Sequence, residues 1–234
     1  MKETERQILR AAEVLFADRG FEITWADIAA ATDLTPGVLR RYFRTKSLLV
    51  DKVVARLLAR RWRPEWDTLL GNRAAPLERR LIRFFTEYQT QGNRNSTRLW
   101  TRAGLAGLHS AGRYSYHAFL VARVIGPMLR ELRHEQDLPS PEQRPLLSAE
   151  VELGYLLYGS LAFPNTRMHV FDLPVYGSAA EIAALMVRTW LPGARAEISR
   201  LHALAVDQEL APLPDTARAP ERAFESQAPE LVAA

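Results

Sequence analysis

The chain has no cysteine at all. That excludes disulfide staples, thiolate nucleophiles and cysteine-ligated metal sites, and it suits a reducing cytoplasm, where we expect the protein to reside. Nowhere does it carry an apolar run of about 18 residues, so no membrane span is expected. The opening MKETERQILRAAEVLF is charged and amphipathic. It lacks the apolar stretch and small-residue cleavage site of a signal peptide. There is no β-type alternation of useful length and no internal repeat. The glycine loops and the HExxH and GxSxG signatures of nucleotide-binding and hydrolytic enzymes are absent. The five histidines (His109, His117, His134, His169, His202) form no i, i+4 pair. No enzymatic site, metal or cofactor is therefore expected.

What is present is helical. Hydrophobic residues make up 47% of the chain, enough for a real core. At 234 residues it fits a small head followed by a larger body. The formal net charge is only +4, but residues 1–63 hold 13 Lys and Arg against 8 Asp and Glu. Arg40, Arg41, Arg44 and Lys46 cluster there. A charge cluster alone is as often a solvated helix face as a nucleic-acid site, so the surrounding pattern must decide.

That pattern runs from Thr24 to Lys46. Thr24 with Asp27 three residues on is a capping box, in which each side chain satisfies a backbone N–H of a helix start. Trp25, Ile28 and Ala29 then give one apolar face, Thr32 and Asp33 break it, and Leu34 plugs the turn. Thr35 is a good N-cap, and Pro36 is harmless at the first helical position because its missing N–H would be unpaired anyway. Leu39 and Phe43, spaced i, i+4, face inward. Val38, Arg40, Arg41 and Tyr42 are left facing out. A cationic second helix held by a small apolar first helix is a helix-turn-helix reader of DNA.

Residues 5–50 resemble the N-terminal domain of the TetR family of transcriptional repressors. The matching positions are Leu15-Phe16, Gly20-Phe21, Thr24, Ile28-Ala29, Ala31, Leu34, Thr35, Gly37, Leu39, Tyr42-Phe43, Lys46 and Leu49. The remainder of the chain resembles the family only in size and helicity. The resemblance implies that Pro36, Gly37, Val38 and Arg40 face base edges. It implies that Thr24, Thr35, Arg41, Tyr42 and Lys46 hold phosphates. Three positions depart from the common pattern, which has lysine, a small hydroxylated residue and tyrosine where this chain has Pro36, Val38 and Arg40. One guanidinium replaces two polar contacts, so an operator with a guanine in each half-site is expected.

The rest of the chain predicts an all-α protein: a three-helix head over residues 1–46, a helical ligand-binding and dimerisation body over 47–209, and a disordered Pro/Ala-rich tail over 210–234. Helices are expected at 4–18, 46–63, from Pro76 to Tyr88, from a Ser96 cap to Leu108, and at 113–136 with a kink at Gly126-Pro127. A break at 110–112 separates the last two. Further helices are expected at 146–162, 178–191 and 194–209, with Pro164-Asn165 as a kink or end and Pro192-Gly193 as an end. The family resemblance makes the helix at 46–63 the link between head and body. It also implies a homodimer on a palindromic double-stranded operator, released by a small-molecule effector. Candidate effector residues are Trp100, Tyr114, His117, Tyr155, Phe163, Met168 and His169, although their spacing equally suits core packing. Arg98, Arg102 and Arg167 could pair with an acidic effector. The candidate dimer surface is Gly154, Leu157, Gly159, Leu161, Ile182, Leu185 and Met186. A regulator without any ligand, controlled by a partner, or an activator, fits the sequence as well.

Overall fold

The computed structural model of the chain describes residues 3–60, 62–108 and 116–207. The described residues are helical with no β-strand. The head comprises α1 (Glu3–Arg19), α2 (Trp25–Thr32), α3 (Pro36–Tyr42) and α4 (Lys46–Ala59). Beyond it lie α5 (Glu65–Gly71), α6 (Leu77–Thr90), α7 (Arg94–Leu105), α8 (Tyr116–Leu120), α9 (Gly126–Glu135), α10 (Ser148–His169) and α11 (Ala179–Asp207). The predicted break at 110–112, Tyr114 and the tail 210–234 lie outside the described residues.

Two apolar cores organise these helices. The first joins Ile8, Phe16, Ile28, Leu39 and Phe43 to Leu49, Val53 and Leu57 of α4. Leu99 and Ala103 of α7 complete it, so a helix from well beyond the N-terminal segment is seated in the head. The second core is built on Trp66, Phe84, Phe85, Leu129, Leu157 and Ile198. Each fully buried large side chain contributes roughly 1.5–3 kcal/mol.

Several boundaries differ from expectation. The helix from Lys46 ends at Ala59 rather than 63. Trp62 leaves the head altogether and packs edge-on against Trp66 and Phe119. Pro64 begins a helix, α5, that periodicity missed because it is only two turns long. Asn93, not Ser96, caps α7; the Ser96 hydroxyl returns the bond to the Asn93 N–H. The kink at Gly126-Pro127 is a π-turn over Val121–Ile125, where the Gly126 N–H bonds Val121 O. Widening the turn accommodates the ring of Pro127, which cannot donate.

Pro192 is not the expected end, and Pro164, expected as a kink or an end, is not an end. α10 runs through Pro164 to His169, and α11 runs through Pro192 to Asp207. In α11 the buried line Val187, Leu191, Ala194, Ile198 and Leu201 keeps helical spacing across the proline. Burial of that line outweighs the roughly 3 kcal/mol cost of an internal proline.

Candidate nucleic-acid interface

The turn-and-helix unit is built by short-range contacts. Thr24 Oγ1 accepts from the Asp27 N–H at 3.2 Å, and Asp27 Oδ2 accepts from the Thr24 N–H at 2.7 Å. The Thr24 hydroxyl also donates to Asp27 Oδ2 at 2.6 Å. Arg19 reaches Asp27 Oδ1 at 2.7 Å. The Thr24 hydroxyl, its backbone N–H and Arg19 together hold the Asp27 carboxyl down at about 2. The box therefore stays ionised and closed at neutral pH. Asp33 ends α2 in the left-handed conformation, φ 53°, which short polar side chains tolerate. Thr35 then caps α3, its Oγ1 accepting from the Val38 N–H at 3.4 Å.

The reading helix is anchored from below and open above. Leu39 and Phe43 are fully buried. Thr35, Pro36, Gly37, Arg40 and Arg41 are exposed, and Val38 and Tyr42 are half-buried. A Cβ on Gly37 would meet only Thr35 Oγ1, at 3.8 Å. Nothing in the chain itself calls for glycine there, whereas a backbone approaching a ligand closely does. Half-buried Lys46 opens α4, whose first turn is capped by Thr45 Oγ1 accepting from the Leu48 N–H at 3.2 Å. The Thr24 hydroxyl is exposed, but its proton is committed to Asp27.

The expected effector residues do not form one cluster. His117 and Tyr155 stack and share a hydrogen bond, Nδ1 to hydroxyl, of 2.6 Å. Burial, then the nearby Glu152, push the Tyr155 phenol up to about 12. Trp100 packs on Tyr116 with ring centroids 4.2 Å apart. Sequence reasoning missed the group between these pairs. Tyr88 reaches the Tyr158 hydroxyl at 3.1 Å and the Tyr116 hydroxyl at 3.5 Å, and Tyr116 bonds Tyr158. The spacing of Tyr155 and Tyr158, one helical turn apart, was its only sequence signal. Phe163 and Met168 instead face outward, Phe163 against Phe171. His169 offers its carbonyl to Arg98. Among the described residues no group of acidic or histidine side chains has a metal-holding arrangement. An open cleft of about 380 Å³ lies elsewhere, between α1 and α2, lined by Glu3, Gln7, Arg10, Ala11, Val14 and Ala31.

The expected dimer residues divide in the same way. Gly154, Leu157, Leu161 and Ile182 are buried in the chain's own interior, Gly154 against the Ile125 side chain. Their apolar area is already covered, which corrects their assignment to an outer surface. Gly159 and Leu185 are exposed and Met186 is half-buried.

The buried anchors, the two caps and the exposed cationic helix define a helix-turn-helix DNA-binding domain. Residues 8–53 match the family model of the bacterial regulatory proteins, tetR family. Among solved structures, a tetR-family transcriptional regulator from Streptomyces coelicolor aligns over 100% of this chain and 99% of its own, at 18% identity and a TM-score of 0.55. A TetR-like transcriptional regulator from Rhodococcus sp. RHA1 aligns over 81% of this chain and 96% of its own, at 22% identity and a TM-score of 0.52. At such identities the likeness is one of fold. No curated protein matches the sequence. Residues 8–53 are thus similar to the N-terminal DNA-binding domain of the tetR family, and the chain as a whole shares the fold of these regulators.

Proposed function

We propose that the protein is a homodimeric, effector-released repressor that reads a palindromic operator in the cytoplasm and has no enzymatic activity. The observation that carries the reading is the division of α3, with Leu39 and Phe43 fully buried beneath an exposed row of Thr35, Pro36, Gly37, Arg40 and Arg41. In this reading Pro36, Gly37, Val38 and Arg40 face bases. Arg40 forks onto guanine O6 and N7, and Val38 touches thymine methyls. Thr35, Arg41, Tyr42 and Lys46 hold phosphates. Thr24 joins them only by giving up its hydrogen bond to Asp27, so its first role is the cap.

Two heads are needed, because one reads few bases. The outward face of the last two helices suits a second copy: Leu156 is 67% exposed, Phe163 51% and Leu185 61%, with Gly159 between them allowing close approach. The effector site we favour is the tyrosine group of Tyr88, Tyr116 and Tyr158, flanked by Trp100 and the His117–Tyr155 pair. Its rings and hydroxyls suit a mixed apolar and polar small molecule. Effector binding acts by favouring a body state in which the two heads no longer match successive major grooves, ~34–36 Å apart.

The test is selection from a random duplex library, followed by binding of two variants. We expect inverted half-sites that each contain an important G·C pair. Arg40→Ala should weaken the selected site by ~1–3 kcal/mol and relax that position. Lys46→Ala should weaken all sequences alike. Selection of no duplex, or half-sites indifferent to G·C, would remove the role given to Arg40.

A further inference from the structure

We infer that Arg98 and Arg102 of α7 are positioning residues for the reader head, and that Arg98 links the end of α1 to the end of α10 through one guanidinium. The functional consequence rests on the DNA-binding reading above; the linkage itself does not.

The last carbonyls of a helix have no partner within it and carry partial negative charge, so a cation placed there is doubly satisfied. Arg102 donates from Nε to Ala17 O at 3.1 Å and from Nη2 to Asp18 O at 2.9 Å. Those carbonyls close α1. A glycine follows, where the backbone turns left-handed. Gly20 has φ +84°, and a Cβ on it would lie 3.1 Å from Arg102 Nη1. Arg98, one turn earlier on α7, has two different partners. Its Nη1 lies 3.5 Å from Asp18 Oδ1 in the head. Its Nε donates at 2.9 Å to the carbonyl of His169, the last residue of α10. On the adjacent stripe of the same helix, Leu99 and Ala103 are fully buried in the head core.

The arrangement needs arginine. A guanidinium holds several donors in a rigid fork and can satisfy two acceptors on different elements at once, whereas an ammonium is a point charge on a flexible stem. The expectation that Arg98 and Arg102 meet an acidic effector is thereby replaced. They are spent within the chain, on carbonyls and on Asp18. Any shift of the α10 end relative to α7 is felt at α1, which packs on α2, itself packed on α3.

Hydrogen exchange on the full chain tests this, with Gly20 reporting on the head and Val170, Phe171 and Leu173 on the α10 end. These amides bond Phe16 O, Thr166 O and Arg167 O. Arg98→Ala should speed exchange at both ends, by about tenfold at the α10 end, where a net hydrogen bond is lost, and by a smaller factor at the head end, where an exposed ion pair is lost. Arg102→Ala should speed the head end alone. Asp18→Asn, at an exposed position, cuts the head side of the Arg98 link with little risk to folding. The library-selected duplex should alter exchange over residues 166–173 in the wild type, since coupling between sites is reciprocal. It should fail to do so in Asp18→Asn, which still binds. Arg98→Ala acting at only one end, or a DNA response in Asp18→Asn equal to the wild type's, would overturn the link. Failure of the wild type to bind any duplex would instead sink the DNA-binding reading. The protein-only exchange of Arg98→Ala and Arg102→Ala would then decide the linkage.

Discussion

Half-buried Asp27 carries much of the reader head. Its carboxylate closes the capping box with Thr24 and pairs with Arg19. Its folded value of about 2 lies below the ordinary 3.8. A depressed carboxylate contributes its stabilisation in full above the ordinary value and loses it as pH falls toward the folded value. The difference in melting temperature between the wild type and Asp27→Asn should thus be constant above pH ~4 and shrink as pH falls to about 2. A difference that persists unchanged at pH 2 would mean that the ionised form is not what stabilises the box. Both caps of the head, at Thr24 and Thr35, were legible in the sequence because each joins residues three apart. The commitment of the Thr24 hydroxyl to Asp27, and of Arg98 and Arg102 to α1, was not. The arginine partners lie 71 to 85 residues away along the chain.

Elements are where local rules met their limits. Pro192 reads as a helix end and Pro164 as a kink or end, yet α10 and α11 run through both. The Pro-rich stretch at 139–145 is a loop, and what holds it was hidden in the sequence. Fully buried Arg133 donates to the carbonyls of Pro139 (3.0 Å), Arg144 (2.6 Å) and Pro145 (3.2 Å), and to Glu150 at 2.8 Å. Glu150 in turn accepts from the Leu147 N–H at 2.7 Å, at the start of α10, and lies 3.0 Å from His202 of α11. Burial raises the Glu150 carboxyl, but the Arg133 and Leu147 hydrogen bonds outweigh it and leave the group below its usual range. Glu150→Ala leaves the buried Arg133 charge uncompensated, so urea unfolding should show a loss of about 3–5 kcal/mol. Removing exposed Glu142, which pairs with Arg130, should cost no more than about 1 kcal/mol. Equal losses would mean that the buried group is hydrated or otherwise compensated.

At the scale of the whole molecule, the division between head and body is less sharp than the chain order suggests. α7 completes the head core through Leu99 and Ala103, while Trp62, directly after the head, packs into the other core. The expected linker helix stops at Ala59, and α7 supplies a second connection between head and body. The proposed homodimer is testable at the same scale. Leu156→Arg combined with Leu185→Arg places two charges on the exposed apolar face and leaves the buried face untouched. Light scattering should then report a monomer, and affinity for the selected palindrome should fall by more than about tenfold as the second head is lost. An undisturbed dimer would place the interface elsewhere.

The sequence alone determined several features set by neighbours within one or two helical turns: the all-α class, the two caps of the helix-turn-helix, its buried anchors Leu39 and Phe43, and the outward Arg40 and Arg41. The tertiary structure decided which apolar residues of α10 and α11 are interior and which are free. It also decided that helices pass through Pro164 and Pro192, that three tyrosines converge, and that two arginines fasten the body to the head. The physical reason is range. A cap or an amphipathic face is set by contacts a few residues apart, whereas the partner of a guanidinium, a carboxylate or a packed ring is chosen only when distant helices are brought together.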